Sequence, residues 1–229
     1  MGWYGEHVLP KLLDVAMDTQ RTRRIRARVT AALAGDVLEI GFGTGHNLTH
    51  LPAGVTRLIA VELSRSSTRR ANARIAASGV PVQVLAADAQ RLPLPDASVD
   101  AALCTWSLCS ISDPVAAVRE VRRVLRPGGQ LHFVEHGIAP DQNVRRWQTR
   151  LNPLQNRLVG GCTLDRDIPA LLRCGGMTLT HLQTYYGPES PPMCRSRAGS
   201  TDPASTRTRS RRASASSPST TSRRSCADL

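Results

Sequence analysis

Val37-Leu38-Glu39-Ile40-Gly41-Phe42-Gly43-Thr44-Gly45 is the stretch that decides the fold. A short run of three apolar residues and one acid reaches three glycines at alternate positions. Such a run reads as a buried strand. The glycines allow a tight turn and let a ligand approach the main chain. The turn is expected to open a helix. A bare G-x-G is shared with dinucleotide-binding folds, whose G-x-G-x-x-G fingerprint needs glycine at 46; His46 stands there. Glu39 lies just before the glycines. A carboxylate beside this turn suits a ligand with an ammonium group better than one with a pyrophosphate. The plainer alternative is an ordinary strand-to-helix turn.

On the C-terminal side the pattern repeats. Strand one is Asp36–Ile40 and strand two Arg57–Val61. A helix over roughly Ser64–Ala77 is ended by Gly79, and strand three is Val82–Ala86. Strand four, Val99–Cys104, leads to a helix with Asp113 as cap, Pro114 at its first position and an apolar stripe of Val115, Val118, Val121 and Leu125. Arg126-Pro127-Gly128-Gly129 stops that helix. Strand five follows at Leu131–Val134, and strand six at Met177–Tyr186. Strands alternating with helices predict an α/β fold: a doubly wound, mostly parallel sheet with helices on both faces.

Open sheets of this kind bind ligands at the carboxyl ends of their strands. Four candidate sites fall there. The glycine turn with Glu39 is the first. Glu62-Leu63 ends strand two, where an acid can accept two hydrogen bonds from a ribose diol; NAD enzymes share that feature, and the same acid could simply cap the next helix. Asp88-Ala89 follows strand three, where an acid can accept from an adenine amino group. Cys104-Thr105 ends strand four. His136 ends strand five, with Glu135 before it. It is the candidate catalytic base, because histidine titrates near neutral pH.

The succession LEIGFGTG (38–45), VEL (61–63), AADAQRLPLPDASVD (86–100) and RRVLRPGGQLHFVEH (122–136) resembles the class I S-adenosylmethionine-dependent methyltransferases, in the methyltransferase type-11 group that includes quinone-biosynthesis enzymes. TWSLCSISDP (105–114) and GCTLDRDIPALL (161–172) are similar to the branch of methyltransferase-like lipid-associated and thiol-methylating proteins. The resemblance covers roughly residues 4–187. It implies S-adenosyl-L-methionine as cofactor, with Gly41, Gly43 and Gly45 at its methionine part and Glu62 on the ribose. It also implies Asp88 and Ala89 at the adenine, and Cys104 and Thr105 under the sulfonium. The implied acceptor is small and lipophilic: a thiol, a quinone precursor or a phospholipid amine. Thr105-Trp106-Ser107-Leu108 departs from the Asn/Asp-Pro-Pro-aromatic pattern of enzymes that methylate amino groups on bases or glutamine. An impaired protein that keeps the cofactor fold is the alternative, and an NAD-dependent oxidoreductase a weaker one, against which His46 and Asp88 both argue.

The remaining sequence bounds the rest. Residues 1–33 read as a helical cap with apolar Val8, Leu12, Val15, Ala16, Ile25, Val29 and Leu33. Arg21, Arg23, Arg24, Arg26 and Arg28 give its second half a basic face, which could rest weakly on an anionic membrane surface. Trp3, Tyr4, Val144, Trp147, Leu151, Leu154 and Leu158 are expected to be mostly core. The methyltransferase domain is expected over 34–188. Residues 189–229 read as a disordered tail of Arg, Ser, Thr, Pro and Ala, the text a GC-rich gene gives when read out of frame. No strand seven is legible in the tail, so the final antiparallel hairpin is expected to be incomplete. The net charge is +12, and residues 190–229, with eight Arg against two Asp, hold +6 of it. Charge gathered there, with few aromatics, gives no specific nucleic-acid partner. The six cysteines show no C-x-x-C spacing, and no metal site is expected. Without a signal-peptide core behind the first residues, a cytoplasmic setting is expected.

Overall fold

Apolar strands buried on two faces need a layer of helices on each, and the chain supplies them. The computed structural model describes Asp14 and residues 17–158, 161–186 and 195–203. In chain order the elements are α1 (Gln20–Thr30), β1 (Gly35–Ile40), β2 (Val55–Val61), α2 (Arg65–Ala76), β3 (Val82–Leu85), β4 (Val99–Thr105), α3 (Pro114–Val124), β5 (Leu125–His136), α4 (Gln142–Leu158), α5 (Ile168–Cys174), β6 (Met177–Tyr186) and β7 (Arg195–Pro203). They form one seven-stranded sheet in the order β3-β2-β1-β4-β5-β7-β6. The first five strands run parallel, and β7 lies antiparallel between β5 and β6.

Alternation along the strands divides the core. Leu38, Ile40, Cys104 and Phe133 face one layer with Val115, Val118 and Val121 of α3. Val37, Leu58, Leu103 and Val134 face the other, with Val29 and Leu33 of the α1 segment. The caps fall where the sequence puts them. Asp113 accepts from the Ala116 N–H at 2.9 Å with Pro114 opening α3, and Ser64 caps α2. In register, Ile40 stands beside Val61 on one side and Cys104 on the other. Glu39, Glu62, Thr105 and His136 therefore share the carboxyl rim of the sheet.

Several expectations need correction. No α-helix follows the glycine turn. Only nine residues separate Gly45 from Val55, and Pro52 is among them, so the chain makes a single 3-10 turn at Leu48–His50. Strand five starts six residues early, because Leu125 already pairs with Val99; the Pro-Gly-Gly segment then bulges, with Gly128 at φ +84°, before pairing resumes at Gln130 opposite Ala101. Trp147 and Leu154 are 54% and 57% exposed and so are not core. Arg26 is not on the basic outer face of α1 but buried. Trp3, Tyr4 and most of the stretch before residue 17 lie outside the described residues.

The largest correction concerns the hairpin. It is complete: nine residues, Arg195–Pro203, pair with both neighbours, with Ala198 opposite Val134 of β5 and Gln183 of β6. The boundary at 188 thus falls inside the sheet, and the disorder expected from residue 190 fails for this strand. The physical reason is that a strand flanked on both sides gains its backbone hydrogen bonds whatever its side chains, so apolar alternation is not required of it. Residues 204–229 lie outside the described residues. Ala198→Pro should remove a ladder donor from a strand paired on both edges. Its melting temperature is expected to fall by about 5 °C or more. An unchanged melting curve would show that β7 does not occupy this position.

Candidate active site

At the mouth of β1, glycine geometry and buried charge meet. Gly41 has φ +68°, and a Cβ there would fall on the Ser107 side chain. Gly43 has φ +59°, yet a Cβ there would have only the Gly41 carbonyl oxygen nearby, at 3.9 Å. One glycine is needed for packing and the other keeps a surface open. The Gly43 N–H donates to Glu62 Oε2 at 2.8 Å, and the Ser64 N–H donates to Glu62 Oε1 at 2.7 Å. Glu62 thus ties the glycine turn to the end of β2. Beside it, Leu63 is 65% exposed, an apolar side chain held open at the rim.

Behind the turn lies a buried polar network. Asn47 Nδ2 donates to Glu39 Oε1 at 2.7 Å and to Thr105 Oγ1 at 3.0 Å. Arg26 Nη1 donates to Asn47 Oδ1 at 2.7 Å and to Thr105 Oγ1 at 3.2 Å. Burial pushes the Glu39 carboxyl up to about 7, against the Asn47 hydrogen bond and the Arg26 charge. Burial also lowers Arg26, to about 10. Glu39 Oε2 and Arg26 Nε are both buried without a hydrogen-bond partner. A buried carboxylate oxygen left unpaired is costly, and at the mouth of this strand it is free to accept from a ligand. Around the loop, Asp14 accepts from Thr44 Oγ1 at 2.6 Å and Arg74 Nη1 at 3.0 Å, and lies 2.9 Å from His46 Nε2.

The loop after β4 is held by one carboxylate. Glu135, fully buried on β5, accepts from the N–H groups of Ser107 (2.7 Å) and Leu108 (3.0 Å), from the Cys104 thiol (3.1 Å) and from the Cys109 N–H (3.4 Å). Burial raises its carboxyl above the usual range. Burial likewise raises the Cys104 thiol, with Glu135 adding to the effect. Trp106 adopts φ +52°, a left-handed conformation costly for a bulky residue. The Arg26 guanidinium stacks over its ring, 4.9 Å from the centroid.

The expected residues are therefore largely brought together. Glu39, Gly41, Gly43, Gly45, Glu62, Leu63, Cys104 and Thr105 line the rim of β1, β2 and β4. Asp88 follows β3 and accepts from the Gln90 N–H at 2.9 Å, and Ala89 beside it is buried. His136 ends β5 next to a different pair: its Nδ1 lies 4.0 Å from Cys162 Sγ, which lies 3.3 Å from Cys109 Sγ. Sequence reasoning gave no place in the site to Arg26 or Asn47, and it named Glu135 only as the neighbour of His136. The usable signal for Arg26 was its place three and seven residues before Val29 and Leu33, on the buried face of α1.

Residues 38–133 match the methyltransferase domain family. The chain carries a methyltransferase domain, similar over that stretch to the class I S-adenosylmethionine-dependent methyltransferases. It is 33% identical over 158 residues to a thiol S-methyltransferase of Homo sapiens, an alignment covering 67% of this chain and 64% of that one. A demethylmenaquinone methyltransferase of Clavibacter sepedonicus is 32% identical over 136 residues, covering 59% and 55%. The chain thus spans somewhat more than half the length of these relatives. Among solved structures, the [4+2]-cyclase SpnF superposes with a TM-score of 0.61 over 81% of each chain at 22% identity, a likeness of fold.

The family's cofactor is S-adenosyl-L-methionine, and the residues here fit it. An unpaired acid oxygen suits its ammonium group, an open face at Gly43 suits close main-chain approach, and an exposed leucine suits an adenine ring. Within this methyltransferase fold, Glu135→Ala should leave four donors, three of them buried, without an acceptor. We expect a loss of about 3 kcal/mol or more in denaturant unfolding, with Glu135→Gln keeping part of it. Equal stability of Glu135→Ala and the parent chain would refute the clamp.

Proposed function

We propose that this chain transfers a methyl group from S-adenosyl-L-methionine to a small lipophilic acceptor, and that a thiol is the acceptor class. The observation that carries the reading is the cradle of Glu39, Gly43 and Glu62. Its buried unpaired oxygen lies at the end of β1, and its second acid sits one strand over. The thiol class is supported by the human relative's activity; the quinone-type relative keeps a quinone precursor as the next candidate. The hairpin, expected to be incomplete, pairs β5 on both edges, which supports an active protein over an impaired one.

In this reading Glu39 accepts from the ammonium group, and Gly41, Gly43 and Gly45 let the main chain close on the methionine part. Glu62 holds the ribose hydroxyls. Leu63, Asp88 and Ala89 take the adenine, while Cys104 and Thr105 form the floor. The cofactor supplies the electrophilic methyl group, so the chain's work is to align the acceptor and exclude water. His136 is the candidate to receive the acceptor's proton. Among the described residues, no helix is long and apolar enough to cross a membrane. A cytoplasmic setting is part of the proposal.

Purified chain with S-adenosyl-L-methionine and a panel of small thiols should yield thioethers detectable by mass spectrometry; quinone precursors and phospholipid amines form the other arms. Product only in another arm would overturn the thiol class, and product in none would overturn the function. Glu62→Ala should weaken cofactor binding by about 1–3 kcal/mol in calorimetry; unchanged affinity would displace the ribose from this residue.

A pH dependence follows from Glu39. Its pKa is raised to about 7 without ligand, so the acid is mostly neutral at pH 6 and half ionised at pH 7. An ammonium ligand binds the ionised form. Affinity should therefore rise about fivefold from pH 6 to 7, below the range where the ligand's own amine titrates. Glu39→Gln should bind more weakly and lose this slope; a slope that survives the substitution assigns the titration elsewhere.

A further inference from the structure

Two thiols and an imidazole from three separate segments converge beside the methyltransferase floor. Cys109 comes from the loop after β4, His136 from the end of β5 and Cys162 from the segment between α4 and α5. Cys109 Sγ and Cys162 Sγ are 3.3 Å apart, Cys162 Sγ and His136 Nδ1 4.0 Å, and one ligand atom from each residue lies within 4.8 Å of the other two. Both cysteines are free thiols, 1% and 5% exposed, packed with Leu164 in a small cluster of their own.

The site is built rather than accidental. Glu135 takes the Cys109 N–H, and the Thr163 N–H donates to the Cys109 carbonyl at 2.9 Å, pinning the second cysteine's segment to the first. The Gln148 amide donates to the Leu164 carbonyl at 3.0 Å, and the Arg166 guanidinium donates to the Leu108 carbonyl at 2.6 Å. The main chain around both cysteines is thus fixed by polar contacts from three different segments.

We propose that Cys109, Cys162 and His136 form a binding site for a thiophilic divalent cation of the zinc class, with three protein ligands and the fourth tetrahedral position open. Zinc–sulfur bonds of about 2.3 Å at a tetrahedral angle hold two sulfurs about 3.8 Å apart, and a sulfur and an imidazole nitrogen about 3.6 Å apart. The separations here lie on either side of those values, so small side-chain rotations complete the geometry. A disulfide would need the sulfurs to close to about 2.05 Å and would leave the imidazole unused. Two cysteines and a histidine with one open position make a site that takes an exchangeable ligand. Each thiol releases its proton to solvent as it binds the ion. The open position suits the sulfur of a small thiol, which binds as the thiolate and releases its proton to solvent. That last role rests on the thiol reading of the reaction; the cation site itself does not. With the ion bound, His136 is a ligand and not the proton acceptor.

The full chain, reduced with a phosphine and stripped by a chelator, is titrated with Co(II) alone and then with Zn(II) alone. One Co(II) per chain should bind, with a thiolate-to-cobalt charge-transfer band and the visible bands of a tetrahedral ion, and Zn(II) should displace it. Cys109→Ser and Cys162→Ser should each weaken binding by at least roughly tenfold and diminish the sulfur band. His136→Gln should keep that band while weakening binding, and His181→Gln, on the exposed side of β6, should change nothing. Should the cysteine variants fail to fold, Zn(II) on the parent chain should shield residues 109 and 162 from alkylation, read by peptide mass spectrometry. Absence of a sulfur band, a band that survives both cysteine substitutions, or equal alkylation with and without Zn(II) overturns the site. Adding a small thiol should move the visible bands. Unmoved bands in a chain that still methylates thiols overturn the open position, whereas moved bands without methyl transfer support the site and count against the thiol reading of the function.

Discussion

Everything at the rim of the sheet hangs on the Glu135 carboxylate. A buried acid is expensive to keep, and this one is offset by the Cys104 thiol at the end of β4 and by three main-chain N–H groups of one loop. That loop follows the central strand β4. The strand ends in Cys104, buried in the α3-side core, and Thr105, in the Arg26–Asn47 network, while Cys109 in the loop faces the histidine and the second cysteine. One side chain on β5 thus sets the spacing between the end of β4 and the segment that carries Cys109. It also explains how Trp106 persists at positive φ: the N–H groups that follow it are captured, and the Arg26 guanidinium covers its ring.

The second organising unit is the chain of Arg26, Asn47, Glu39 and Thr105. Glu39, when ionised, and Arg26 carry opposite charges, yet Asn47 stands between them and bridges both. A direct bidentate pair would have satisfied both groups and closed the site. The bridged arrangement leaves one carboxylate oxygen and one guanidinium nitrogen unsatisfied, which preorganises the rim for a charged ligand at some cost in stability.

What was legible in the sequence is what local patterns encode. The strand limits of β6, the Asp113-Pro114 cap and the acids at the strand ends can be read because each depends on neighbours within a few residues. The helix expected after Gly45 was a matter of counting: nine residues ending in Pro52-Ala53-Gly54 cannot hold a helix and a return to β2. Arg26 was hidden because arginine is normally read as solvent-facing, and only the tertiary network makes its burial tolerable. Cys109 and Cys162 were invisible as a pair because 53 residues separate them, so no spacing rule reaches across. β7 was missed for a different reason: its pairing is dictated by the strands on either side.

That last point bears on how the molecule comes apart. A strand with little apolar substance of its own has no reason to form before both neighbours exist, so β7 enters late and by long-range pairing. It should also be the first part of the sheet to leave. Its departure would strip the rim strand that carries Glu135 and His136 of one partner, and expose a long row of unpaired amide groups to other chains. The weak point of this sheet against self-association is therefore the composition of its last-added strand, while its parallel centre stays intact.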